Sequence, residues 1–330
     1  MKTLRLHGLG DLRLHEEPIP IPKPGERILR IKAVGICGSD LHWLNEAGIG
    51  DSRLDKPLVL GHEFMALTDS GERVAVDPAI PCGVCEYCKR GDPNLCERII
   101  FAGHGEQDGS LREMMAWPEG CLYRIPDSFS DTDGAMLEPL GIAIHSVDLA
   151  HLKVGMSVGV FGCGPIGLLI LQLARLSGAN KVFVTDLLSH RLQVAKELGA
   201  NTTFHVENDS NKEDVSVLAK QGLDVVFEAA GENAAVEMAV AAVRPGGKVI
   251  LVGIPSDDRT SFIASVARQK GLTFKLVHRM KFTYPRAIHL VGDGKVNVHS
   301  LVTHRYPIEQ YAEAFTVASR REGLKVVITP

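Results

Sequence analysis

Four cysteines lie within fifteen residues of this chain, in the order Cys82-x2-Cys85-x2-Cys88-x7-Cys96. Zn²⁺ prefers four donors in a tetrahedron, and four thiolates leave no open position on the metal. The spacing therefore predicts a closed, structural zinc site. An iron–sulfur cluster is the alternative, although this spacing differs from that of common ferredoxin runs.

A second group of metal-binding residue types is spread more widely. Cys37 lies in the stretch GICGSDLH, His62 and Glu63 lie in LGHE, and Glu138 precedes a proline. Each residue alone is weak evidence for a metal, and Cys37 could equally be a small buried hydrophobic residue. What makes them candidates for a catalytic metal site is the presence of all four in one chain.

A glycine-rich stretch, Gly162-Cys-Gly-Pro-Ile-Gly167, fits the pattern G-x-G-x-x-G between an apolar strand and an apolar helix. Asp186 ends the next predicted strand, and this context is what a dinucleotide-binding fingerprint requires. The glycines let the backbone approach a pyrophosphate at the helix N-terminus, and the acid accepts hydrogen bonds from a ribose. A carboxylate there repels a 2′-phosphate, which favours NAD over NADP, although Arg191 weakens that preference. The predicted cofactor contacts are Gly162, Gly164, Pro165, Ile166, Gly167, Asp186, Arg191, Val252 and Gly253.

The elements that must position these residues change character at about residue 141. Up to residue 140, short apolar runs such as 27–34, 72–76 and 121–125 alternate with turn residues and predict a mostly β region. Beyond it, strand-like runs are separated by helical patterns, which predicts a parallel, doubly wound sheet. The predicted strands are 157–161, 181–185, 223–227, 248–252 and 273–277, and the helices are 166–177, 189–198, 215–220 and 233–243. A last helix is predicted at 308–320 and a last strand at 324–329.

Composition excludes several classes of protein. The 330 residues carry a net charge of −4 without a basic stripe, which argues against nucleic-acid binding. The N-terminus lacks a signal-type apolar run, and the most apolar stretch, 158–174, is broken by glycines and Pro165. We therefore expect a cytoplasmic protein. The odd number of cysteines, seven, argues against a disulfide framework.

Together these motifs resemble the zinc-dependent medium-chain alcohol dehydrogenase superfamily over nearly the whole chain, and within it the sorbitol (polyol) dehydrogenase branch. The resemblance implies an α/β protein with a GroES-like, β-barrel-type catalytic domain made of residues 1–140 and 282–330. It also implies an NAD-binding Rossmann domain, a doubly wound parallel sheet, at 141–281. NAD, two zinc ions per chain and a homo-tetramer, with a dimer as second choice, are further implications.

The same resemblance implies transfer of a hydride from a secondary alcohol of a polyol or diol to NAD, which leaves a ketone. Cys37 and His62 would hold the catalytic zinc with either Glu63 or Glu138, and the choice stays open. Ser39 would accept the proton and pass it, by way of a cofactor ribose hydroxyl, to His42.

Substrate recognition is implied for Arg279. Met280 and Phe282 stand where the branch has more polar residues, and Trp43 stands where it has a tyrosine. Fewer polar groups would pair substrate hydroxyls, so that shorter diols are candidate substrates beside long polyols. The alternatives are an L-threonine, butanediol or glucose dehydrogenase of the same superfamily, or a non-catalytic zinc- and NAD-binding redox sensor.

Overall fold

A computed structural model of the chain describes residues 1–206, 218, 220 and 222–330. It divides into two compact units, one made of Met1–Gly141 and Lys281–Pro330, the other of Ile142–Met280. The predicted boundaries, 140/141 and 281/282, each differ from these by one residue. The predicted helix 215–220 lies outside the described residues, except for Leu218 and Lys220.

The first part of the chain is built mainly from strands. In chain order they are β1 (Lys2–Leu6), β2 (Leu12–Glu16), β3 (Glu26–Gly35), β4 (Gly48–Ile49), β5 (Ser52–Arg53), β6 (Leu58–Val59), β7 (Glu63–Thr68), β8 (Arg73–Val76), β9 (Ala79–Ile80), β10 (Ile100–Phe101), β11 (Met114–Pro118) and β12 (Leu122–Arg124). The helices among them and directly after them are α1 (Gly38–Glu46), α2 (Glu86–Arg90), α3 (Asp131–Ala135) and α4 (Leu137–Ala150).

The middle of the chain alternates strands with helices. Its strands are β13 (Ser157–Phe161), β14 (Lys181–Asp186), β15 (Thr202–His205), β16 (Leu223–Glu228), β17 (Val243–Leu251) and β18 (Thr273–Leu276). Its helices are α5 (Pro165–Leu176), α6 (Ser189–Glu197), α7 (Asn233–Ala242) and α8 (Ala264–Lys270). The chain ends with α9 (Tyr284–Gly292), β19 (Val302–Pro307), α10 (Tyr311–Ser319) and β20 (Lys325–Thr329). No helix in the described part of the chain is long and apolar enough to cross a bilayer.

Strand β3 is the centre of the first unit. It pairs with β7, β11 and β20, all antiparallel, within a sheet that runs β12-β8-β7-β3-β20-β19. Leu29 and Ile31 are buried and Arg30 between them is exposed, as the alternation in the sequence predicts, whereas the last residues up to Gly35 are all buried. The C-terminal strand β20 therefore belongs to the core of the first unit, beside the end of β3.

The second unit is a parallel sheet in the order β15-β14-β13-β16-β17-β18. The chain proceeds outward from β13 to β15, then returns to β16 on the other side of β13. In such sheets a crevice opens where the order reverses, outside the carboxyl ends of the strands, and dinucleotides bind there. In this unit that place is the end of β13, next to β16.

Candidate active site and cofactor site

The ends of β3 and β7 bring three predicted metal ligands together. Register pairs Gly35 with Glu63, so that Cys37, two residues beyond β3, faces the start of β7. One donor atom each of Cys37, His62 and Glu63 lies within 4.8 Å of the others, and the His62 and Glu63 residues are buried. One thiol, one imidazole and one carboxyl group are a donor set that suits Zn²⁺ and leaves a fourth position open.

Burial dominates the electrostatics of this group of residues. Burial, together with the charge of Glu63, raises the pKa of the Cys37 thiol to about 12. Burial raises the pKa of Glu138 well above its usual range, and Glu138 interacts electrostatically with His62 and Glu63. A cation held by these residues would lower the pKa of the Cys37 thiol, because metal binding requires the thiolate and releases its proton.

The sequence analysis missed Asp40, which orients two of these ligands. The Asp40 carboxylate is 1% exposed and accepts the Cys37 N–H at 2.8 Å and the Gly61 N–H at 3.0 Å. Its Oδ1 also lies 3.7 Å from Nδ1 of His62. The signal was present in the sequence, because an acid three residues after a helix N-cap is the second half of a capping box, here with Cys37 as the cap.

Lys325 is a second residue that the sequence analysis missed. Its Nζ lies 2.8 and 2.6 Å from the two carboxylate oxygens of Glu63 and 3.0 Å from the carbonyl oxygen of Ile36. Lys325 is 4% exposed and Glu63 is 1% exposed. An ammonium group in this position compensates one of the buried carboxylates.

The proposed proton carriers lie on the first turns of α1. The Ser39 hydroxyl oxygen is 3.5 Å from Nε2 of His62. His42, one turn further, is hydrogen-bonded through Nδ1 to Oε1 of Glu46 at 2.9 Å, and its side chain is 19% exposed. The helix therefore carries a hydroxyl next to a ligand and an imidazole in contact with solvent.

A row of rings extends from the metal ligands through the first unit. Ring centroids are 5.4 Å apart for His62 and Phe101, 6.5 Å for Phe101 and His104, and 5.5 Å for His104 and Trp43. Trp43 is buried, whereas His104 is partly exposed and lies 3.1 Å from the hydroxyl of Ser52 through Nε2. His104 was not a sequence candidate, since nothing in the local pattern marks it.

The four clustered cysteines fold around one point in a separate lobe. Their four sulfur atoms all lie within 4.8 Å of one another. Backbone N–H groups of the short loops donate to these sulfurs. The N–H of Cys82 donates to Sγ of Cys96 at 3.3 Å, and the N–H of Cys85 donates to Sγ of Cys82 at 3.4 Å. The N–H of Val84 is the main cause that lowers the pKa of the Cys82 thiol to about 6. These hydrogen bonds stabilise the Cys82 thiolate, whereas burial raises the pKa of the Cys88 thiol to about 12.

The fingerprint loop of the second unit has the expected form. Helix α5 begins at Pro165, where the missing N–H costs nothing, directly after Gly164. A side chain at Gly167 would collide with the carbonyl oxygen of Gly162, so close strand–helix packing requires glycine there. A methyl group built on Gly164 would lie 3.6 Å from Nη1 of Arg191, which places that guanidinium beside the loop.

Asp186 stands at the carboxyl end of β14 and is held by the same loop. Its carboxylate accepts N–H groups from Cys163 at 2.6 Å and from Leu188 at 2.8 Å. On the other side of β13, the N–H groups of Val252 and Gly253 donate to the carbonyl oxygen of Glu228 at 2.8 and 3.0 Å. The structure therefore puts the predicted cofactor residues at the carboxyl ends of adjacent parallel strands.

The predicted substrate residues around position 280 lie at the boundary between the two units in the sequence. Arg279 belongs to the unit Ile142–Met280, whereas the ligands belong to the other. Arg279 and Phe282 both have positive φ, 58° and 49°, and Phe282 is 65% exposed. The role of Arg279 in substrate binding stays a prediction.

Comparison with known proteins decides the family. Residues 23–127 match the alcohol dehydrogenase GroES-like domain, and residues 165–293 match the zinc-binding dehydrogenases. Sorbitol dehydrogenase of Gallus gallus is 37% identical over 98% of this chain and 94% of its own length. The chain belongs to the zinc-dependent medium-chain dehydrogenases. It is sorbitol dehydrogenase-like, as the sequence motifs predicted.

Solved structures support the same fold over the full length. Galactitol-1-phosphate dehydrogenase from Escherichia coli superimposes with a TM-score of 0.90 at 28% identity and covers 100% of both chains. 2R,3R-butanediol dehydrogenase from Bacillus subtilis superimposes with a TM-score of 0.87 at 27% identity, covering 100% of this chain and 99% of its own. The predicted GroES-like domain with a Rossmann-type parallel sheet and the predicted class of enzyme, an alcohol dehydrogenase, are confirmed.

Proposed function

We propose that this enzyme oxidises a secondary alcohol of a polyol or diol to a ketone, with NAD as hydride acceptor and a zinc ion held by Cys37, His62 and Glu63. The observation that carries the proposal is the donor set of these three residues, gathered within 4.8 Å. Three protein ligands of this kind with one open position are characteristic of catalytic zinc, whereas four closed thiolates are characteristic of structural zinc. The relatives named above act on polyols and diols.

The residues fit both groups that the family implies. Soft and borderline donors suit Zn²⁺, and the buried Asp40 carboxylate lies beside Nδ1 of His62, which leaves Nε2 as the donor to a metal. The glycine loop, the start of α5 and Asp186 suit the pyrophosphate and adenosine ribose of NAD. When bound, zinc would lower the pKa of a substrate hydroxyl, and NAD would accept the hydride.

Ser39 and His42 carry the proton that the substrate hydroxyl releases. Ser39 accepts it near His62, and the partly exposed imidazole of His42, oriented by Glu46, exchanges it with solvent. Glu138, whose pKa is raised by burial, supplies a second carboxyl group beside the ligands. Of the two carboxylates left open by the sequence, Glu63 is the proposed ligand, because the described donors that lie together are those of Cys37, His62 and Glu63.

A shorter diol is the second candidate substrate. The ring of Phe101, which has no polar atom, lies beside the predicted ligand His62, with ring centroids 5.4 Å apart. A carbon ring in this position offers no partner to a substrate hydroxyl, which favours a diol over a six-carbon sugar alcohol with more hydroxyls to pair. The partly exposed His104 and Arg279 are the proposed polar contacts to substrate.

Location and assembly complete the proposal. We expect a cytoplasmic enzyme that assembles as a homo-tetramer, with a dimer as second choice. Light scattering after size-exclusion chromatography measures the assembly.

A substrate panel tests the proposed reaction. Initial rates are measured with sorbitol, xylitol, 2,3-butanediol, L-threonine and glucose, each with NAD and with NADP. We expect the highest kcat/KM with a polyol or diol and NAD, and loss of turnover in Cys37→Ser. Cys121→Ser, a buried cysteine outside both metal sites, is the matched control. Highest kcat/KM with glucose or L-threonine, or full turnover in Cys37→Ser, would contradict the proposal.

A further inference from the structure

Lys325 is an unusual residue for its position. Lysine is almost never fully buried unless its charge is paired, yet Lys325 is 4% exposed in the middle of a core sheet. Its Nζ has three acceptors within 3.0 Å, namely both carboxylate oxygens of Glu63 and the carbonyl oxygen of Ile36. All three donor hydrogens of the ammonium group can therefore be satisfied.

Strand pairing explains why these two side chains meet across 262 residues of sequence. Gly35 of β3 pairs with Glu63 of β7 on one side and with Val327 of β20 on the other. Lys325 lies two residues before Val327, and residues two apart on a strand share a face. Gly35 is thus the residue between the lysine and the glutamate.

Gly35 leaves the space that the Glu63 carboxylate occupies. A Cβ built on Gly35 would collide with Oε2 of Glu63 and lie 3.3 Å from its Cβ. On one side the carboxylate therefore contacts the backbone of Gly35, and on the other it accepts hydrogen bonds from the ammonium group of Lys325. Few orientations of the Glu63 side chain meet both conditions.

A carboxylate gripped in this way can still bind a metal. Each of its oxygens has two lone pairs, and a hydrogen bond to Lys325 uses one of them. Partners that hydrogen-bond to a ligating carboxylate fix its orientation, and their loss weakens metal binding. The ammonium charge also offsets one of the carboxylate charges buried around Cys37.

We propose that Lys325 is a positioning residue that, with the gap at Gly35, holds the Glu63 carboxylate in the orientation that binds the catalytic metal. The inference rests on the proposed function, in which Glu63 is a ligand. It gives the last strand of the chain a part in building the metal site.

Zinc affinity of the holoenzyme's catalytic site tests the inference without relying on turnover. Zn²⁺ is withdrawn by a chromophoric chelator from wild type, Lys325→Met and Glu63→Gln, and its dissociation constant is measured by competition. We expect Lys325→Met to weaken this zinc by about 10- to 100-fold. The zinc held by the four cysteines should be unchanged, which also reports that the variant is folded.

A matched control separates positioning from general destabilisation. Lys270→Met removes another partly buried ammonium group, whose Nζ donates to the carbonyl oxygens of Val240, Ala241 and Val243 at 2.9, 2.6 and 2.9 Å in the other unit. It should lower the melting temperature without changing zinc affinity. With Co²⁺ in the catalytic site, the visible ligand-field bands should shift in Lys325→Met and stay in place in Lys270→Met.

The outcomes separate this inference from the function on which it rests. Wild-type or tighter zinc binding in folded Lys325→Met, with weaker binding in Glu63→Gln, would overturn the positioning role alone. Wild-type binding in both variants would overturn Glu63 as a ligand. If Lys325→Met does not fold, Gly35→Ala tests the same inference, because its Cβ would displace the Glu63 carboxylate, and wild-type affinity in that variant would equally contradict the inference.

Discussion

The Asp40 carboxylate lies 3.7 Å from Nδ1 of His62 and accepts the backbone N–H of Cys37 at 2.8 Å. A carboxylate beside Nδ1 favours the tautomer that carries its proton on that nitrogen, which leaves Nε2 to bind a metal. One buried acid therefore lies against the ring of one predicted ligand and holds the backbone that carries another.

Asp40→Asn should weaken the catalytic zinc selectively. The asparagine keeps one acceptor oxygen, but its amide N–H₂ replaces the other, so that one of the N–H groups of Cys37 and Gly61 loses its acceptor. We expect zinc affinity at the Cys37 site to fall by about tenfold or more, measured by chelator competition. Asp224→Asn is the control, because Asp224 also accepts a backbone N–H, that of Ser157 at 2.8 Å, in the other unit. An equal loss of affinity in both variants would refute the role of Asp40.

Ser39→Ala should slow the chemical step. The hydroxyl of Ser39 is 3.5 Å from His62, and removing a group that carries the proton typically costs about 100-fold in rate. The measurement is the single-turnover rate of NADH formation, with a carbon-deuterated alcohol to establish that hydride transfer is observed. Asn45→Ala on an exposed position of the same helix should leave the rate unchanged. An unchanged rate in Ser39→Ala would remove this residue from the proton path.

Features that depend on local spacing could be predicted from the sequence. The four-cysteine lobe is closed by turns within fifteen residues, and the fingerprint loop joins β13 directly to α5. The strand Ser157–Phe161 has the predicted limits, since a short apolar run between turns is typical of a buried parallel strand. Each of these depends on residues close to one another in the chain.

Features that depend on register between distant strands could not be predicted. Lys325 reaches Glu63 only because β20 pairs beside β3, and a lysine in an apolar C-terminal run gives no sign of burial. His104 is likewise placed by packing against Trp43 rather than by a motif. The proposal of Glu63 rather than Glu138 as ligand likewise depends on register, because Glu63 lies on a strand paired with β3 and Glu138 on a helix.

Asp186→Asn should shift cofactor preference towards NADP. The carboxylate is held at the end of β14 by the N–H groups of Cys163 and Leu188, and its charge repels a 2′-phosphate. Loss of a charged acceptor costs about 1.5–3 kcal/mol, so that the ratio of kcat/KM for NAD over NADP should fall by about tenfold or more. Asp257→Asn, an exposed acid of the same unit, makes the same change in charge and should leave the ratio unchanged. No change in Asp186→Asn would place the ribose contact elsewhere.

Cys88→Ser should remove one zinc and keep the other. Cys88 is one of the four cysteines whose sulfurs lie within 4.8 Å of one another, and this group is separate from the one that contains Cys37. Metal analysis should fall from about two zinc ions per chain to about one, with a lower melting temperature because a structural zinc contributes directly to folding. Cys121→Ser, which changes a buried cysteine outside the lobe, should retain both ions. Loss of both ions in Cys88→Ser would show that the two sites do not bind independently.

Stability should depend on pH through Glu17. Arg5 donates to Glu17 at 3.0 Å and to Asp108 at 2.9 Å, and its hydrogen bond to Glu17 lowers the pKa of that carboxyl. A carboxyl group whose pKa is lower in the folded state stabilises the fold above its unfolded-state pKa, about 4.3 for glutamate, and that contribution disappears as the pH falls through the folded value.

Glu17→Gln should therefore lower the free energy of unfolding by about 1 kcal/mol at pH 7, with a smaller difference from wild type at pH 3. Urea unfolding at both pH values measures it. Glu106→Gln is the control, because the Glu106 side chain is 91% exposed and its ion-pair distance to Lys56 is 3.6 Å. A difference between Glu17→Gln and wild type that stayed constant from pH 7 to pH 3 would mean that the charge of Glu17 does not stabilise the fold.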